Sequence, residues 1–200
     1  MPVLKVVPDT NKGLIMGSKT YINYCGKPKS GKTTTIAFLI DKLKKANGFE
    51  KYNCEKEGKQ TVSPKEYMCT IEITTKNTKR IVALSTYGDN IETLKDNHEF
   101  FDKYSPDIMV TASHCHNDYE HNSFIDNYVS DKNDALKKLA INREVFNYIK
   151  ISSIKIDAND SSIEKKNDFY AEYLYNLIMD SLKMLDLQEE ILSSKNTVTC

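Results

Sequence analysis

Eight consecutive residues carry the densest chemical signal in this chain: Gly26-Lys27-Pro28-Lys29-Ser30-Gly31-Lys32-Thr33. Read as G-x-x-x-x-G-K-[ST], they have the composition needed to wrap a backbone around a phosphate chain. Such a turn points its N–H groups inward. Gly26 and Gly31 permit dihedrals and a closeness of approach that side chains forbid. A helix opening at Lys32 adds N–H groups without intrahelical partners and the positive end of its dipole. Within that cradle Lys32 is expected to place a point charge on the β- and γ-phosphates, and the Thr33 hydroxyl to ligand Mg²⁺. The Thr34 N–H is expected at the α-phosphate, with Lys27, Pro28, Lys29 and Ser30 completing the turn. A Lys/Gly-rich surface turn is the competing reading, and the flanking residues argue against it.

The loop works only where a strand delivers it and a helix leaves it. Residues 21–25, Tyr-Ile-Asn-Tyr-Cys, are β-prone. Residues 33–45 carry Ile36, Phe38, Leu39, Ile40 and Leu43 at largely helical spacing, and Ala46-Asn47-Gly48 stops that helix. Residues 49–65 are rich in Lys and Glu without a clear period, and are expected as a solvated loop, with a functional switch as the alternative. Residues 67–75 alternate as a strand should, 76–79 form a turn and 80–86 are a short apolar run, together an antiparallel hairpin. A helix is expected over 91–104, capped by Asp89 or Asn90, and a buried strand over 107–112. Residues 113–133 read as a polar loop holding three of the four His, and 134–147 as a helix. A strand over 148–157 and a long helix from Asp160 complete the series. That helix carries Tyr170, Tyr173, Leu174, Leu177, Ile178, Leu182 and Leu185 as a stripe of period 3.6. The order implies an α/β fold, a mainly parallel sheet with helices on both faces and a ligand at the carboxyl ends of its strands.

At 200 residues the chain is expected to form one domain around a single core. Residues 1–18 read as an N-terminal arm and 193–200 as a frayed tail. Apolar content of 40% and charged content of 28% place it among ordinary globular proteins. A formal net charge of zero argues against a general nucleic-acid binder, which needs a basic face. Five Cys without paired spacing, and an N-terminus lacking an apolar export segment, point to reduced thiols in a cytoplasmic protein. No apolar run has the length needed to cross a bilayer, so no membrane partner is expected.

Over residues 21–45 the chain resembles the P-loop NTPase superfamily, with Gly26 to Thr33 as its Walker A sequence and Gly31 to Thr35 as a G-K-T-T-T variant. The resemblance implies the three-layer P-loop NTPase fold, a nucleoside triphosphate and Mg²⁺. It lapses at the second signature of the superfamily, an apolar strand ending in Asp, because the strand here ends in Ser85. Ser85-Thr86-Tyr87-Gly88 is similar to the D-x-x-G switch of GTPases with its acid replaced. Gly88 is then expected to offer its N–H to the γ-phosphate. Asp89 takes over the water or metal work or caps the following helix, and Ser85 is open to a weaker role in the metal shell. The guanine-selective N-K-x-D is missing after residues 108–112, where the chain reads Ser113-His114-Cys115-His116, so ATP is expected over GTP.

The chain has 26 Lys but two Arg, Arg80 and Arg143. Small-molecule and nucleotide kinases commonly clamp two polyphosphates with several Arg forks, so hydrolysis leads over phosphotransfer. Arg143 reads as a transition-state finger or, more simply, as a surface Arg. His114, Cys115, His116 and His121 have the chemistry of zinc ligands, but no second pair completes a tetrahedral set. His114 or His116, following a central strand, is instead a candidate to position water at the γ-phosphate, with a polar surface loop as the plainer reading. The expected function is Mg²⁺-dependent binding of ATP and hydrolysis of its γ-phosphate, switching a protein partner. Lys32 and Asp89 are the expected catalytic residues, and Thr33 and Asp89 the metal ligands. A small-molecule or nucleotide kinase is one alternative. A nucleotide-binding module with little catalysis is another, motivated by Ser85.

Overall fold

The computed structural model describes residues 19–57, 67–76, 78–88, 90–114, 119–138, 147–153 and 160–196. In chain order its elements are β1 (Thr20–Cys25), α1 (Lys32–Lys44), β2 (Phe49–Glu57), β3 (Tyr67–Thr75), β4 (Thr78–Ser85), α2 (Ile91–Tyr104), β5 (Ile108–Ser113), α3 (Tyr119–Lys138), β6 (Asn147–Ser152) and α4 (Asp160–Asn196). β1 is buried at every position, so it must pair along both edges and satisfy each polar side chain it carries. It pairs in parallel with β5 on one edge and with β6 on the other. The sheet order is β2-β3-β4-β5-β1-β6. β4 also runs parallel to β5, whereas β3 joins β4 and β2 joins β3 through antiparallel pairings. The sheet is therefore mixed, with its parallel part around the loop that leaves β1.

Alternation of side chains divides the core between the two faces of the sheet. Ile22 and Tyr24 of β1, Val82 and Leu84 of β4, and Ile108 and Val110 of β5 turn toward α1 and α4. Tyr21, Ala83 and Met109, one residue out of phase, turn toward α2 and α3. Helices thus cover both faces, as the element order implies. α1 buries Ile36, Leu39, Ile40 and Leu43, and α4 buries Tyr170, Leu174, Ile178, Leu182 and Leu185, the stripes read from their spacing. No helix among the described residues is long and apolar enough to cross a membrane.

Four expectations change. Residues 49–57 are not a solvated loop but the edge strand β2. Its outward side chains, Lys51, Asn53 and Glu55, are exposed, while Phe49, Tyr52 and Cys54 pack on the core. Register shifts at Phe49/Lys51 and Cys54/Lys56 break the period of two, which is why the alternation is hidden in the sequence. The polar loop expected to Asn133 contains most of α3, which among its described side chains meets the core through Phe124, Ile125, Tyr128 and Val129 in a polar stretch. α4 continues to Asn196, past the fraying expected at Ser193. Its last turns are held by Asp186 and Glu189 on Arg80 and by Glu190 on Lys76. Finally, Cys25 is disulfide-bonded, while Cys54 and Cys69, outside that bridge, face one another across β2 and β3. Spacing along the chain does not report which thiols meet in space.

Arg80 is the main ionic tie between α4 and the sheet. It is 5% exposed and lies 3.4 Å from Asp107, 3.1 Å from Asp186 and 2.9 Å from Glu189. Asp107 also accepts from Ile81 N at 2.8 Å, and Asp186 from the Thr75 hydroxyl at 2.8 Å. The guanidinium fork suits several carboxylates at once and offsets their burial. This cluster stands at the amino end of β4, so it fixes α4 from the end of the sheet opposite the β1–α1 loop.

Candidate functional site

The loop leaves β1 beside the end of β5, where Gly26 N donates to Ser113 O at 3.0 Å. Ser30 N then closes a turn on Lys27 O at 3.2 Å. Lys29 and Gly31 both take left-handed dihedrals, with φ of 61° and 84°. Glycine adopts that conformation without steric cost, whereas for lysine it is strained. α1 starts at Lys32 with Gly31 as its N-cap, with no side-chain cap hydrogen bond and no acidic residue in its first turn. The start of α2 is the opposite case, closed by a reciprocal box in which Asn90 accepts from Thr93 N at 2.9 Å and Thr93 accepts from Asn90 N at 3.2 Å. Asn90, and not Asp89, is therefore the cap of α2. The beginning of α1 is suited to an anion where that of α2 is already filled.

Lys32 bends back across the loop. Its buried ammonium donates to Gly26 O at 3.1 Å and to Lys27 O at 3.2 Å, closing the loop around a cation from the helix it opens. Ser30 Oγ is buried and has no hydrogen-bond partner among the described residues. A buried hydroxyl left in that state costs about 1–3 kcal/mol, which a ligand inside the loop would relieve. Lys27, Pro28 and Lys29 form the exposed rim, and Thr33 and Thr34 are partly exposed at the start of α1.

A second set of residues grips the loop from behind. Lys166 Nζ donates to Ser30 O at 2.5 Å, and Ser153 Oγ donates to the same oxygen at 3.3 Å. Asn167 Oδ1 accepts from Thr35 Oγ1 at 3.4 Å and stands where a Cβ on Gly31 would collide with it. Lys166 and Asn167 are buried, and burial holds the Lys166 ammonium below its ordinary pKa. They reach the loop because Tyr170, Leu174 and Ile178, one to three turns further on, pack α4 into the same core as α1.

β4 is not the neighbour of β1, because β5 lies between them. At the usual spacing of strands the ends of β4 and β1 are about 10 Å apart. The chain after β4 covers part of that distance. Gly88 passes so close to Ala112 O that a Cβ would overlap it, and Ala112 precedes the Ser113 whose carbonyl holds Gly26. The turn carrying Gly88 is held by Asn97 of α2. Asn97 accepts from Ser85 Oγ at 2.5 Å, and its amide donates to Tyr87 O and to Thr111 Oγ1 at 2.9 Å. Ser85 Oγ in turn accepts from Tyr87 N at 3.1 Å. Ser85 is fully buried, and its hydroxyl serves this turn. Beside it, Ser113 Oγ donates to Asn23 Oδ1 at 2.6 Å, and the Asn23 amide donates to Tyr148 OH at 3.2 Å.

The structure thus brings Gly26 through Thr34 into one loop and helix start, with Gly88 approaching across the end of β5. Asp89, Cys115, His116 and Arg143 lie outside the described residues. His114 follows β5 and is partly exposed, and His121 falls within α3. No cluster of three or more His, Cys, Asp or Glu that could hold a metal occurs among the described residues. Sequence reasoning missed Asn23, Asn97, Thr111, Lys166 and Asn167. Asn23 and Asn97 carry a usable signal, an amide at a core-facing position of an apolar strand or helix, where burial demands partners. Lys166 and Asn167 carry none, since they sit in a polar stretch like any solvated helix start. No family model, curated protein or solved structure matches the chain.

Proposed function

We propose that this protein is a Mg²⁺-dependent P-loop NTPase, with the three-layer fold of that superfamily, which binds ATP and hydrolyses its γ-phosphate. The observation that carries the reading is the β1–α1 loop. It turns through left-handed Lys29 and Gly31, encloses the Lys32 ammonium and opens a helix that no side chain caps. A turn that holds a lysine ammonium beside an uncapped helix start at the end of a parallel strand favours a polyphosphate. On binding, Lys32 exchanges the carbonyls of Gly26 and Lys27 for phosphate oxygens, and the Ser30 hydroxyl gains a partner. Mg²⁺, when bound, would supply charge that offsets that of the phosphates. Thr33 offers its hydroxyl to the metal, Gly88 its N–H to the γ-phosphate, and Asp89 its carboxylate to the attacking water. The turn from Ser85 to Gly88 answers to Asn97 of α2, so α2 is the element through which a protein partner would sense the γ-phosphate.

Thermal stability and phosphate release with ATP and with GTP, each with and without Mg²⁺, test the reading. ATP with Mg²⁺ is expected to raise the midpoint and to give steady phosphate release without an added acceptor. Lys32→Ala is expected to abolish both, and unchanged nucleotide stabilisation in that variant would falsify the proposal. Release that appears only with a small-molecule acceptor would make the protein a kinase. Binding without turnover would make it a nucleotide-binding module.

A further inference from the structure

The carbonyl oxygens of the β1–α1 loop are held by two different lysines. Lys32, from within the loop, takes those of Gly26 and Lys27. Lys166, from the first turns of α4, takes that of Ser30 at 2.5 Å. In a trans peptide the C=O and the following N–H point in opposite directions. Drawing Ser30 O back toward α4 therefore turns the Gly31 N–H away from α4 and into the loop. Two further contacts and a dihedral fix the same peptide. Ser153 Oγ donates to Ser30 O at 3.3 Å, Asn167 closes the space behind Gly31, and Gly31 itself holds φ at 84°. The grip is built into the core, because Lys166 and Asn167 are both buried.

We propose that Lys166 is a positioning residue of the phosphate site, orienting the Ser30–Gly31 peptide so that the Gly31 N–H faces the bound phosphate. The inference rests on the phosphate-loop reading above and deepens it. The loop is preset by a cation far away in the chain, and the length of α4 ties that cation to the core. Lys166 does not touch the reacting phosphate. Its contribution is a fixed amide direction, so it acts on every polyphosphate alike, whatever base is attached.

The test uses the full chain, with Mg²⁺ and inorganic triphosphate as the probe, because this ligand isolates the phosphate contacts from those to a base. Lys166→Met removes charge and donor while keeping the apolar stem. It is expected to weaken triphosphate binding by about 10- to 100-fold, the range for losing a charge-assisted hydrogen bond at a site. Lys166→Arg restores both charge and donor and is expected to recover most of the affinity. A purely structural role would not move the amide resonance of Gly31, which is expected to shift strongly on triphosphate binding in the wild type and in Lys166→Arg, but not in Lys166→Met. Affinity and Gly31 shift at wild-type values in Lys166→Met would overturn the proposal, as would failure of Lys166→Arg to recover. If Lys166→Met does not fold, Lys166→Gln serves, with weaker binding expected and wild-type binding overturning the proposal. Lys32→Ala separates the two ideas. Triphosphate binding that survives Lys32→Ala removes the phosphate-loop reading itself, whereas binding lost in Lys32→Ala but intact in Lys166→Met removes only the role of Lys166.

Discussion

Asn97 of α2 accepts a hydrogen bond of 2.5 Å from the hydroxyl of Ser85, the residue that ends β4. Its amide nitrogen then holds Tyr87 O and Thr111 Oγ1, so one buried side chain joins α2, the turn after β4 and β5. Asn97→Ala leaves several of these groups buried without a partner. A loss of about 2–4 kcal/mol is expected from that mechanism. Urea unfolding measures it, and a loss below 1 kcal/mol would show that the network is not holding the turn. Phosphate release should fall more than nucleotide affinity, since the turn carries Gly88 and not the loop of Lys32.

Gly31 is constrained twice, by a φ of 84° and by Asn167 at the position of a Cβ. Gly31→Ala is expected to lose nucleotide stabilisation and about 1–2 kcal/mol from the left-handed dihedral alone. Adding Asn167→Ala removes the collision but not the dihedral strain, so the double variant should recover only part of the loss. Full recovery in thermal melts would mean that the collision with Asn167 is the whole constraint.

His98 gives the fold a measurable pH dependence. Its ring stacks on Tyr128 and Phe124 and meets the Tyr21 hydroxyl at 3.3 Å. Burial is the main reason that its pKa falls from 6.5 to about 4, with Lys132 adding to the shift and Asp102 opposing it. The folded state therefore prefers neutral His98, and the unfolded state binds a proton more readily. The contribution is complete above pH 6.5 and is lost progressively as the pH falls toward 4, amounting to about 3 kcal/mol at most. His98→Phe keeps an aromatic ring without the titration. Its stability should decline less steeply than that of the wild type between these pH values, and parallel curves would refute the assignment.

Arg80 lies at the amino end of β4, away from the β1–α1 loop, with Asp107, Asp186 and Glu189 around it. Arg80→Met leaves Asp186 buried without its cation and is expected to cost about 3–5 kcal/mol. Affinity for ATP, measured below the lowered midpoint, should be unchanged. A large loss of affinity would mean that strain at this end of α4 reaches Lys166.

Both ends of α1 are legible locally. The G-x-x-x-x-G-K-[ST] spacing marks the loop, and Ile36, Leu39, Ile40 and Leu43 mark the buried face of the helix. The β3–β4 hairpin, α2 and the stripe of α4 are equally readable, because each follows from a period within one segment. β2 and α3 are not. Bulges break the alternation of β2, and among its described side chains α3 presents a short apolar seam to the core.

By itself the sequence determined the strand–loop–helix arrangement around residues 26–34, the α/β order and the faces that most elements bury. These depend on residue type and local periodicity. Only the tertiary structure decided that β5 separates β1 from β4, that Asn97 holds the turn of Gly88 and that Lys166 stands behind Ser30. Each of these relationships joins residues far apart in the chain. They form when strand pairing and the packing of α2 and α4 minimise buried unpaired polar groups over the whole core, a condition no single segment encodes.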